Sequence, residues 1–511
     1  MLTFLLCACT IVRSQPWEHY YPMSQYRYAT SICQTYDKGY LIAVLDGTAF
    51  HQVIIHKLDI DGNFLWSKTI HSTGSNSVRA FDICTSNDNG FLICGVSYHY
   101  DPDGAAFVMK FDECGERVWT KEFGLTNDYD ANFYIIPTSD GNYLIGANEL
   151  GPSIAGAERV SLIKIDKDGS TLWSGNYSHF DGPHIAGVYE LDSSQYYITA
   201  VTYAPDSGQS APSLIRSQLI KVDSGGNEIW SRVYGVNDST YSIGNSVIQW
   251  NDSLLLYLTT FKDHISNLKY WNYLIKMDVM GNVIWKKFVS STNDLSEAPN
   301  EIIRMSDSTA VIICSVSYSY NFNTIDDYRL KAIKINANGD VLDSIQFANG
   351  NNLAFKSFKN KDGDIVICGL HTSGTQMGPF AIKINSDLQV DTLLNMNFNY
   401  DSLCTSSISG GISMYDTTTV TGLKTVESSN LEFTLYPVPA KDFFLIQLNK
   451  FFGSKLNINI IDITGKLIYD DVAVFFTKEI EIPTTNISSG FYLVRIVAGD
   501  NVLTRKLIIQ K

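Results

Sequence analysis

Short apolar runs recur along most of the chain: 40–44, 91–94, 143–145, 196–198, 254–256, 311–313 and 365–367. Most follow a turn of Asp or Asn with Gly, as at Asp37–Gly39, Asp88–Gly90, Asp140–Gly141 and Asp362–Gly363. Runs of this length, rich in β-branched and aromatic residues and bounded by turn residues, predict strands rather than helices. A short strand precedes each run, as at 29–35 and 80–85, and a loop of variable length follows it. A third strand then ends in Lys, a second Asp/Gly turn reverses the chain, and a fourth strand begins near a Trp. Each unit therefore reads as four strands joined by hairpins.

The second turn is the most regular feature. It occurs as Lys57, Asp59, Gly62 and Trp66; as Lys110, Asp112, Gly115 and Trp119; and as Lys164, Asp166, Gly169 and Trp173. It returns at Lys221, Asp223, Gly226 and Trp230, and at Lys276, Asp278, Gly281 and Trp285. Two weaker copies follow: Lys334, Asn336 and Gly339 with Asp343 in the Trp position, and Lys383 with Asn385 but neither Gly nor Trp. Successive Trp residues are 53 to 57 positions apart. A period near fifty with four strands per unit predicts β-propeller blades. Seven copies predict a seven-bladed ring over 15–399, its closing strand undetermined, with 17–28 a candidate to help. Asp or Asn caps the turn, Gly supplies a positive φ, and Trp offers an apolar face to pack between blades. These residues read as structural. The Gly-x-x-x-Trp element resembles the tryptophan-docking repeat of quinoprotein-like propellers, with a turn one residue shorter. It differs from the Asp-box of sialidases in its Gly-to-aromatic spacing. The resemblance implies architecture alone.

From 400 to 430 the pattern gives way to Ser, Thr and Gly, which predicts an extended linker. Period-2 segments with turns then resume over 431–511, predicting a small antiparallel β-sandwich. Four motifs stand in order there: Tyr436, Pro437, Pro439, Ala440 and Lys441; Asp462, Gly465 and Lys466; Gly490 and Tyr492; and Lys506 near the end. They closely resemble the type A C-terminal sorting domain of the type IX secretion system, with Val438 where that family usually has Asn. The resemblance implies an outer-membrane secretion machinery as partner of 431–511, and a secreted or surface-attached product. The fold expected overall is all-β, a seven-bladed propeller followed by a sorting sandwich.

Composition adds exclusions. Aromatic residues reach 12% while charged residues reach only 18%, which favours strands. The net charge of −15 excludes a nucleic-acid partner, which needs a basic face. The apolar run 2–12 followed by Arg13 and Ser14 predicts a signal peptide over 1–14, too short for a transmembrane segment. The seven remaining cysteines (Cys33, Cys84, Cys94, Cys114, Cys314, Cys368 and Cys404) are odd in number and irregularly spaced, and they read as small buried apolar residues.

Candidate chemistry is sparse. None of the nine His stands at metal-ligand spacing, and no nucleophile elbow or phosphate-binding glycine loop occurs. Asp59 with Asp61, and Asp166 with Asp168, hint at calcium ligands but read as hairpin turns. No catalytic, cofactor-binding or metal residue is assigned, and no cofactor is expected. A glycan or protein ligand is expected on the aromatic, polar loops 98–105, 148–157, 203–212, 261–270 and 318–326. The expected function is a secreted binding module. The alternative is an extracellular hydrolase or lyase acting on glycans or peptides, with acidic or His side chains converging at the mouth of the ring.

Overall fold

A computed structural model describes residues 15–24, 26–47, 52–71, 77–98, 105–123, 131–150, 158–177, 181–192, 195–204, 214–235, 240–263, 270–289, 296–317, 328–347, 351–394, 398–404, 411–413, 433–448, 455–462, 466–474, 479–485, 487–498 and 501–511. The expected signal peptide and most of the five candidate ligand loops lie outside the described residues.

The chain forms a seven-bladed β-propeller. Blade 1 is built from Arg27–Gln34, Tyr40–Asp46, Gln52–Leu58 and Phe64–His71, paired antiparallel in that order. Blades 2 to 6 repeat this four-stranded meander. Blade 7 takes three strands, Asn351–Lys359, Ile365–Ser373 and Gln376–Ile384, from the end of the repeat region. Its fourth strand is Glu18–Tyr20, with Glu18 opposite Ile382 and Tyr20 opposite Phe380. The N-terminal segment thus closes the ring. The first strand of each blade neighbours the first strands of both flanking blades, so seven such strands surround the axis.

Each sheet is covered by its neighbours. Every residue of Tyr40–Asp46 and of Phe91–Ser97 is buried. The apolar clusters join adjacent blades: Ile55 and Trp66 of blade 1 pack with Phe91 and Phe107 of blade 2. Burial on both faces explains why the second strands read as continuous apolar runs rather than alternating ones.

The repeated hairpin is the joint between blades. Each Trp lies against the turn glycine of the next blade. A methyl group built on Gly226 would come within 2.6 Å of the Trp173 ring, and one on Gly339 within 2.8 Å of Trp285. Trp66, Trp119 and Trp230 stand in the same way against Gly115, Gly169 and Gly281. The indole N–H of Trp119, Trp173 and Trp230 donates to the carbonyl two residues before that glycine, in Lys167, Ser224 and Val279. Trp17 supplies the copy missing from blade 7. It lies 2.8 Å from the methyl position of Gly62 and donates to the Ile60 carbonyl at 2.8 Å. The last joint lacks both partners: blade 6 has Asp343, and Leu388 occupies the left-handed position of the blade 7 turn at φ 60. A glycine is required only where an indole must approach.

The turns keep one geometry throughout. The Asp or Asn side-chain oxygen accepts two backbone N–H groups, as Asp166 does from Asp168 and Ser170, and Asn385 from Asp387 and Gln389. Of the carboxylates that resemble calcium ligands, Asp166 is occupied in this way. Asp59 accepts the Asn63 N–H at 2.7 Å, and Asp61 accepts the Leu394 N–H at 2.6 Å. The repeat lysines are buried or half-buried and committed. Lys57 pairs with Asp37 at 2.7 Å and Lys164 with Asp140 at 2.5 Å, while Lys276 donates to the Ala337 carbonyl in the next blade.

Two expectations are corrected. Residues 398–404 are packed rather than extended: Tyr400 accepts the Ile60 N–H at 2.8 Å, and Asp401 takes the Trp66 indole N–H at 3.0 Å. Gly411–Ser413 then adds a fifth strand to blade 1, parallel to Thr69–His71. Such an edge strand is held by backbone hydrogen bonds, so its small polar side chains concealed it. Cys114 and Cys404, read as buried thiols, form a disulfide that fastens this segment to blade 2. The other five cysteines among the described residues are buried and free.

The C-terminal unit is a two-sheet sandwich. Phe433–Tyr436, Phe443–Leu448 and Glu479–Pro483 form one sheet. Leu467–Val474, Lys455–Asp462, Gly490–Ala498 and Asn501–Ile509 form the other. Phe444, Ile446, Ile458, Ile460, Val494 and Leu507 fill the space between.

Candidate functional site

A β-bulge interrupts the first strand of every blade at the same point. Pairing with the second strand skips Thr30, Phe81, Phe133, Ala186, Asn245, Asn300 and Phe355. The residues that follow are Ser31, Asp82, Tyr134, Gly187, Ser246, Glu301 and Lys356, one per blade at equivalent positions around the axis. Bulges redirect side chains at such points. Here they bring three charges together from blades 2, 6 and 7.

Asp82 is 2% exposed. One oxygen accepts from Ser31 Oγ at 2.6 Å and from the Ile83 N–H at 3.0 Å. The other accepts the Ile135 N–H at 3.1 Å and lies 3.6 Å from Lys356 Nζ. Glu301 accepts from Ser246 Oγ at 2.6 Å and from the Tyr189 hydroxyl at 3.2 Å. Burial pushes the Glu301 carboxyl up, against the opposing pull of Lys356 and these hydrogen bonds. Burial also disfavours the charge on Lys356, but Asp82 and Glu301 outweigh it and hold that ammonium above its ordinary range. Its Nζ also lies 5.8 Å from the centre of the Tyr134 ring.

Two cavities meet at this cluster, since Asp82 and Lys356 line both. One, of about 300 Å³, opens where the first strands begin and is walled by Tyr28, Arg79, Phe81 and Phe355. The second, of about 270 Å³, opens among Cys33, Thr85, Pro137 and Lys359 where those strands end. These residues carried no local motif. The available signal was positional: Ser31, Asp82, Tyr134, Ser246, Glu301 and Lys356 each stand six residues before an Asp of the first turn.

A second polar cluster lies on blade 7. Tyr20 Oη donates to Glu18 at 2.5 Å, and its ring centre is 4.3 Å from that of His371. Asn352 joins them, donating to Tyr20 Oη at 3.2 Å and lying 2.8 Å from His371 Nδ1.

His56 belongs to the core of the scaffold. It is 8% exposed on blade 1, and its Nδ1 has no partner among the described residues. Burial, with Arg27 nearby, pushes it down from 6.5 to about 4. The folded state therefore binds this proton less readily than the unfolded chain. Stability from this group is complete above 6.5 and declines as pH falls toward 4, by about 3 kcal/mol in total. Urea midpoints measured across that window are expected to fall more steeply for the natural protein than for His56→Gln.

In the C-terminal sandwich, Tyr436, Pro437 and Pro439 are exposed, whereas Ala440 is buried and bridges to Ile509. Asp462 caps its turn by accepting the Lys466 N–H at 3.0 Å, and Tyr492 donates to the Ser488 carbonyl at 2.9 Å. Gly490 and Lys506 lie on paired strands, and Gly465 falls outside the described residues.

Residues 434–510 match the family described as the secretion system C-terminal sorting domain. The chain thus carries a type IX export tail, which places the protein at the cell surface or in the medium. No curated protein matches the chain. Among solved structures, polysaccharide lyase Uly1 is similar at 10% identity and TM-score 0.47, covering 74% of this chain and 94% of its own. A protein of unknown function from Dyadobacter fermentans is similar at 9% identity and TM-score 0.42, covering 72% and 98%. Lignostilbene dioxygenase of Pseudomonas brassicacearum is similar at 9% identity and TM-score 0.44, covering 74% and 94%. The seven-bladed ring rests on this chain's own strand pairing.

Proposed function

We propose that the propeller is an extracellular binding module whose ligand enters the axial cavity walled by Tyr28, Phe81 and Phe355. The observation that carries this reading is the cavity itself: about 300 Å³ with aromatic walls over a charged floor. A few fixed polar groups in an otherwise apolar concavity are the usual composition of a ligand site. The acids of the channel are already engaged, Asp82 by Ser31 and two backbone N–H groups and Glu301 by Ser246 and Tyr189. That arrangement supports binding over acid–base turnover. Residues 431–511 address the propeller to the secretion machinery, with the exposed Tyr436, Pro437 and Pro439 the surface it meets.

The test is a glycan and peptide array probed with the full-length protein and with Phe355→Ala. Phe355 is 37% exposed, so its removal opens the cavity wall at little cost to folding. Ligands that bind the natural protein and lose affinity in the variant support the reading; equal binding by both overturns it. A second reading, a hydrolase or lyase, draws on the Tyr20, His371 and Asn352 cluster, where a phenol and an imidazole are held together. Cleavage of an array glycan that disappears in His371→Ala would establish it.

A further inference from the structure

We infer that Arg79 anchors an organic carboxylate at the mouth of the axial cavity. This rests on the cavity being the ligand site. Arg79 lines that cavity beside Tyr28 and Phe81. Its Nε is buried and has no acceptor among the described residues. Its guanidinium carbon lies 5.7 Å from the centre of the Tyr98 ring, which steadies the group without accepting its in-plane N–H bonds. A bound anion would accept from the guanidinium N–H groups that face the cavity rather than from the buried Nε.

The neighbouring charges leave Arg79 unmatched. Arg27, one blade away, is paired with Asp46. Lys356 faces Asp82 at 3.6 Å, and the Glu301 carboxylate also favours its charge. Asp82, the one carboxylate among the described lining residues, has both oxygens engaged by Ser31, Ile83 and Ile135. Among the described residues Arg79 therefore has no carboxylate partner, in a chain whose net charge is −15. A positive focus within an acidic surface concentrates small anions.

Size and wall chemistry narrow the class. A volume of about 300 Å³ lies at the small end of ligand sites. Tyr28, Phe81 and Phe355 offer flat apolar faces suited to a single ring. One guanidinium balances one negative charge, and Asp82 at the floor disfavours a dianion such as phosphate. The planar fork of Arg79 matches a carboxylate in two-point contact. The structure assigns a monocarboxylate on a body of about one ring, the chemistry shared by a sugar acid and an aromatic acid.

The test is calorimetric titration of the full-length protein with glucuronate and with benzoate, each beside its methyl ester. The acid that fits is expected to bind and its ester to bind at least about tenfold more weakly. Arg79→Gln is expected to remove that preference, and Arg79→Lys to retain part of it. Because Arg79 has no ion pair among the described residues, both variants should keep the natural thermal midpoint. Which acid binds separates the two sources. Failure of both acids, or equal acid binding in Arg79→Gln, overturns the carboxylate assignment. If neutral array ligands remain sensitive to Phe355→Ala in that case, the cavity reading survives; if neither variant affects any ligand, both fall.

Discussion

Replacing Trp17 by alanine is expected to destabilise the propeller by about 3–5 kcal/mol, the range for removing a fully buried indole. Trp17 is 0% exposed and packs with Tyr40, Ile42, Val366 and Ala381, side chains of blades 1 and 7. The closing strand is only three residues long, so its backbone bonds hold the ring weakly. The side chains beside it bind the blade 1 turn instead. Trp17 donates to Ile60, His19 lies 2.6 Å from the Asp61 carbonyl, and Tyr21 donates to Gly62. Trp119, half-exposed at an interior joint, should cost markedly less on replacement by alanine. Denaturant midpoints of the two variants measure the difference. Equal losses would show that Trp17 has no special part in closure.

Removing residues 431–511 is expected to abolish export, with the folded propeller retained inside the cell. The sandwich has its own core, from Phe433 to Ile509, and no propeller residue belongs to that cluster. Its loss should therefore leave the thermal midpoint of the ring unchanged. Fractionation with detection of the propeller is the measurement. Surface display of the truncated chain at the natural level would contradict the assignment of the tail as the export signal.

The propeller was legible because its joints are local. Lys, Asp, Gly and Trp lie within ten residues of one another, and the turn geometry needs each of them. The decay of the motif in the last two copies was visible, but its cause was not. Asp343 and Leu388 are partners across a joint, and Trp17 replaces a residue lost more than 370 positions later in the chain. Pairing of Cys114 with Cys404 spans 290 residues and could not be read from spacing. Asp82, Glu301 and Lys356 were hidden for a different reason. Each is a lone charge in a separate apolar strand, and only ring closure with a shared bulge brings them together. Burial of the repeat indoles was expected throughout; Trp66 and Trp230 are buried, while Trp119, Trp173 and Trp285 are half-exposed.

The central claim is that the repeated hairpin is a joint between blades, each Trp seated on the next blade's glycine. A double-mutant cycle of Trp173→Ala and Gly226→Ala tests it most directly. Gly226 has φ +86, and a methyl group there would stand 2.6 Å from the Trp173 ring. Gly226→Ala alone should therefore combine backbone strain with a clash, and the clash should vanish once Trp173 is alanine. The expected result is a double variant less destabilised than the sum of the singles, by about 1–3 kcal/mol. Additivity within about 0.5 kcal/mol would contradict the account.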